Sequence, residues 1–107
     1  MDDALELLRA EFGAEPGTFL LLLHVDLVWD TTAFARLERA MTAVCQALAD
    51  AEELPRWLVA GFWYTCDFVP REIGHPGFHP TQPAAYYQRS CRRLAKLNAW
   101  FTCGYPI

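Results

Sequence analysis

The sequence predicts an all-α fold, a single compact domain of four or five helices with the aromatic segment Trp57 to Val69 at its centre. Three observations predict it. Phe34, Leu37, Met41, Val44 and Leu48 recur at steps of three and four residues, which gathers them on one face of a helix. Tyr87, Cys91, Leu94, Leu97 and Phe101 repeat the pattern near the end of the chain, with Gly104 placed to stop that helix. The 107 residues contain no linker or internal repeat, so residues 1–107 form one domain around one core.

Each element follows from local chemistry. Asp2 or Asp3 can cap a short first helix whose apolar positions are Leu5, Leu8 and Phe12, with Gly13 to end it. Pro16-Gly17 turns the chain, and Thr18 can cap a second segment, Phe19 to Trp29. Its length suits a helix, but His24-Val25-Asp26-Leu27 alternates like a strand. Asp30 to Thr32 offers caps for the third helix, about five turns long, with Arg36, Glu38 and Arg39 off its apolar stripe.

Pro55 opens a fourth helix that reads as apolar on nearly every side, from Trp57 through Phe62 and Trp63 to Val69, which predicts burial all round. Pro70 to Pro83 reads as a loop, with Gly74 and Gly77 among its prolines. The last helix then runs from about Gln82 or Pro83 to Cys103, capped by Thr81 or Gln82. The alternative fold is α+β, with 19–29 and 57–69 as paired strands, because both segments hold strand-compatible residues.

Composition narrows the function classes. Hydrophobic residues make up 53% of the chain, enough to fill a core and to exclude intrinsic disorder. Nine basic against thirteen acidic residues give a net charge of −4, which weighs against a nucleic-acid partner. The acidic start Met1-Asp2-Asp3 does not resemble a secretory leader, and the longest apolar run is too short to span a bilayer. A cytoplasmic protein with no membrane partner is expected. The charge is also divided along the chain: residues 1–54 carry 11 acids and 3 bases, net −8, and residues 55–107 carry 2 acids and 6 bases, net +4.

No phosphate-binding glycine loop, HExxH, GxSxG or paired-carboxylate signature is present. Cys66, His75, His79 and Cys91 could form a zinc site, and Cys66 with His75 a nucleophilic pair. Neither is expected, because zinc sites draw on close Cys pairs and cysteines on apolar helix faces are inert. Four free thiols, no metal, no cofactor and no catalytic residue are the expectation. Asp26 and Asp67 lie in apolar segments, so each must reach solvent or a donor. Arg89, Arg92, Arg93 and Lys96 share one side of the last helix, opposite its apolar face.

Phe62-Trp63, Phe68-Val69, His75-Pro76-Gly77-Phe78, Tyr86-Tyr87, Leu94-Ala95, Trp100-Phe101 and Gly104 follow one another as landmarks. Their order resembles small bacterial immunity proteins of polymorphic and contact-dependent toxin systems, over roughly residues 55–104. The resemblance implies a non-enzymatic helical protein whose partner is a cognate toxin, and it transfers no binding residue by position. Asp50, Glu52 and Glu53 form the densest acidic group and are the candidate partner-binding residues. The rival functions are a homo-oligomeric scaffold or interaction domain, and a small metal-binding protein using Cys66, His75, His79 and Cys91.

Overall fold

Side-chain and glycine caps set half of the helix boundaries. The computed structural model describes residues 1–106, and its elements are α1 (Asp2–Phe12), α2 (Phe19–Asp26), α3 (Thr31–Ala47), α4 (Arg56–Ile73) and α5 (Ala84–Cys103). The Thr18 hydroxyl accepts from the Leu21 N–H at 3.3 Å, and the Asp30 carboxylate accepts from the Ala33 N–H at 3.0 Å. Gly104 ends α5 in the left-handed conformation at φ +88°. The expected cap on α1 differs: Met1 holds the cap position, and Asp2 and Asp3 lie in the first turn, where their charges favour the helix dipole.

The fold is all-α. No strand occurs among the described residues, so the α+β pairing of 19–29 with 57–69 is excluded. The Leu20 to Leu23 run lacks β-branched residues and favours helix once Thr18 caps it. α2 ends at Leu27, which takes the left-handed conformation at φ 55°.

All five helices supply the core, α3 most heavily. α1 and α5 pack on α3, while α4 packs along α5 and against α2. Leu8, Phe19, Leu23, Leu37, Met41, Val44, Leu58, Phe62, Val69, Leu94 and Leu97 are fully enclosed. Phe62 of α4 stacks on Phe101 of α5, ring centroids 4.2 Å apart and planes within 14°. A second aromatic group joins α2 to the start of α5. Trp29 meets Phe19 at 4.8 Å and Tyr87 at 5.1 Å between centroids, and its indole N–H donates to the Tyr86 hydroxyl at 3.0 Å.

Three expectations are corrected. First, α4 is not buried on all sides: Leu58, Gly61, Phe62, Thr65, Phe68 and Val69 face the core, whereas Trp63 is 59% exposed, Tyr64 44% and Val59 41%. The segment therefore gives one face to the core and the other to solvent. Second, α4 continues through Pro70 to Ile73, shortening the predicted loop. Pro70 is exposed and lies in the last turn, and the Gly74 N–H still donates to its carbonyl at 3.3 Å. Third, neither Thr81 nor Gln82 caps α5. The backbone N–H groups of Thr81 and Gln82 instead donate to the Tyr87 hydroxyl, at 3.0 and 3.1 Å, one turn inside the helix.

One buried acid organises the first half. Glu11 is 5% exposed, and its carboxylate accepts from the N–H groups of Phe19 at 2.9 Å and Leu20 at 3.1 Å. It thus satisfies the free donors at the start of α2 from outside that helix. Burial raises its pKa, while these two hydrogen bonds and the charge of Arg36 pull it back.

Candidate protein-binding surface

The α3–α4 loop carries the acidic group. Asp50, Glu52 and Glu53 are all exposed, and none takes part in an ion pair among the described residues. The end of α5 lies against this loop: a side chain at Gly104 would bring a Cβ within 2.7 Å of the Ala49 carbonyl oxygen. The next residue, Tyr105, is 62% exposed. The chain at Gly104, followed by the exposed Tyr105, thus approaches the loop that carries the three carboxylates, although the two segments are far apart in sequence. A charged rim steers a partner, and an aromatic residue supplies apolar contact area. Sequence reasoning missed this approach, because only the packing of Gly104 against Ala49 brings the end of α5 to the loop.

A second exposed surface runs along α4. Arg56, Val59, Ala60, Trp63, Tyr64 and Asp67 are exposed and follow helical spacing down one side. Asp67 accepts a salt bridge from Arg71 at 3.0 Å, one turn further along. Asp26 is exposed as well, so both acids in apolar segments reach solvent. Beside the stripe is an open groove of about 600 Å³ between α1 and α4, lined by Phe12, Trp57, Gly61 and Tyr64 among others. The Arg9 guanidinium lies 4.1 Å from the Trp57 ring centre.

The basic side of α5 is only partly free. Arg93 is half-buried and donates to Glu38 at 2.9 Å and to the Thr42 hydroxyl at 3.1 Å, tying α5 to α3. Arg89, Arg92 and Lys96 remain exposed. The charge asymmetry of the two halves therefore includes at least one direct contact within the chain.

Of the four zinc candidates, Cys66 and Cys91 come close enough to influence each other, but the histidines do not join them in a metal-holding group. Cys66 and Cys91 are half-buried on α4 and α5, while His75 and His79 are exposed in the intervening loop. His75 accepts from the Gly77 N–H at 2.9 Å, which closes the loop locally. Among the described residues no three His, Cys, Asp or Glu side chains are grouped closely enough to hold a metal ion. All four cysteines are unbridged. Burial pushes the Cys45 thiol up to about 11 and raises Cys66 and Cys91 as well, so none of these three is activated as a thiolate.

No helix of the described residues is long and apolar enough to cross a membrane. No family model, curated protein or solved structure matches this chain.

Proposed function

We propose that this chain is a cytoplasmic bacterial immunity protein, which binds and neutralises one cognate toxin without performing chemistry. Two kinds of support bear on the reading. The order of landmarks from Phe62-Trp63 to Gly104 resembles such proteins, and an acidic loop with an exposed ring is suited to a basic partner. The observation that carries it is the exposed group Asp50, Glu52 and Glu53 on the α3–α4 loop, without an ion pair among the described residues and approached by the end of α5 at Gly104. The carboxylates would accelerate encounter with a positively charged cleft, and Tyr105 would provide the contact that slows release. Nucleic acid and membrane are not partners on this reading.

The test is co-expression with the toxin encoded beside this chain's gene. Wild-type chain should protect, while the triple Asp50/Glu52/Glu53→Ala variant and Tyr105→Ala should protect less with their helical spectra unchanged. The association rate of wild type should fall as salt rises. Full protection by the triple variant with unchanged association kinetics would remove the acidic loop from the mechanism. Failure of wild type to protect against the neighbouring toxin would overturn the immunity reading itself.

A further inference from the structure

We propose that the exposed side of α4 pairs with the same side of a second copy of this chain, the two helices running antiparallel about a two-fold axis that passes between residues 61 and 62. The inference goes beyond toxin binding and uses a different face. Exposure alone would not select this occupant; the order of residues along the stripe does. Arg56, Ala60, Trp63 and Asp67 are spaced four, three and four residues apart, the repeat that keeps a narrow seam in register between two helices. Val59 and Tyr64 flank that seam and widen its apolar area.

The pattern is self-complementary in one orientation only. Antiparallel pairing about that axis sets each residue opposite the one whose number completes a constant sum. Trp63 then lies opposite Ala60 of the second copy, so a large ring meets a side chain small enough to admit it. Arg56 lies opposite Asp67 of the second copy, and the two-fold axis makes that ion pair twice. A parallel pairing would instead set Trp63 against Trp63, Arg56 against Arg56 and Asp67 against Asp67, juxtaposing like charges at both ends. The groups needed are available. Arg56 has no ion-pair partner among the described residues, and Arg71 bonds one carboxylate oxygen of Asp67. A lipid surface would gain nothing from an acid at one end of the stripe, whereas a second copy has the matching base.

The seam is short. From Arg56 to Asp67 the helix rises about 16 Å, so the pair buries less than a standard interface and should associate reversibly and weakly. Sedimentation velocity on the full chain, from micromolar to near-millimolar concentration, tests the proposal. Wild type is expected to pass from monomer to dimer over that range, and Trp63→Ala to weaken the dimer by about tenfold or more. Arg56→Glu and Asp67→Arg should each weaken it severalfold, and the doubly reversed variant should regain most of the lost affinity. All three positions are exposed, and circular dichroism will show whether the variants keep their helices. A wild-type monomer throughout the range overturns the proposal, as does a dimer indifferent to Trp63→Ala, or a double reversal no tighter than the single ones. A monomer that still protects against its toxin leaves the immunity reading standing.

Discussion

Phe12 lays its ring on the bare α-carbon of Gly61, so that any side chain at 61 would run into the ring. This contact brings α1 close to α4, and the same ring packs edge-on against Phe62 at 6.1 Å between centroids. A glycine inside a helix ordinarily weakens it. Here the missing side chain makes room for a neighbour.

Gly61→Ala should therefore destabilise the protein, although alanine is the better helix former. Helix propensity favours the substitution by about 1 kcal/mol. Displacing a packed aromatic ring costs about 1–3 kcal/mol, so the net effect is expected to be a loss. Denaturant unfolding of the two proteins measures it, and a higher midpoint for Gly61→Ala would refute the close approach.

Phe62 and Trp63 are neighbours in sequence with opposite fates. Phe62→Ala leaves a cavity against Phe101 and should cost about 3–5 kcal/mol. Trp63→Ala removes an exposed side chain and should shift stability by less than about 0.5 kcal/mol. Thermal melts of both variants, at a concentration where the chain is monomeric, separate them. Equal losses would mean that Trp63 is also enclosed.

Glu11 makes stability depend on pH in an unusual direction for a hydrogen-bonded acid. Its pKa is raised in the folded chain, chiefly by burial, so the folded state holds the proton more tightly than the unfolded state does. The resulting stabilisation is fully present below the unfolded carboxylate value and is lost as pH rises through the raised folded one. Glu11→Gln keeps an acceptor oxygen but cannot titrate. Wild type should accordingly lose stability relative to Glu11→Gln as pH rises from strongly acidic toward neutral, in paired urea titrations that cancel the other acids. A difference that grows the opposite way would show that the hydrogen bonds from Phe19 and Leu20 outweigh burial. Glu11→Ala, which leaves those N–H groups without this acceptor, should cost about 1–3 kcal/mol.

Tyr87 holds the loop before α5 through its hydroxyl, which accepts from two successive backbone N–H groups. Tyr87→Phe keeps the ring packed on Trp29 and Phe78 but removes that acceptor. A loss of about 1–2 kcal/mol is expected, together with faster amide hydrogen exchange at Thr81 and Gln82. Unchanged exchange at both positions would show that the loop is held by other contacts.

Much of this protein was determined by the sequence itself. Apolar spacing from Phe34 to Val44 specified α3, Thr18 and Asp30 specified two helix starts, and Gly104 specified the end of α5. These signals are local: a cap acts within one turn, and a helical stripe repeats within a few residues. The all-α class followed from them. Three acids in one short loop were also legible as an exposed group, since unpaired charge avoids burial.

The tertiary structure decided which side of each apolar segment meets a neighbour. α4 is rich in apolar residues around its circumference, and only its position against α5 and α2 shows that Phe62 is enclosed while Trp63 faces outward. Glu11 becomes a cap only when α1 and α2 fold back on each other, and the end of α5 reaches the acidic loop only when Gly104 packs on Ala49. Hydrophobicity drives burial without direction, so composition can ask for a core but cannot say which of several apolar faces will fill it. Shape settles that choice, through contacts between residues far apart in the chain.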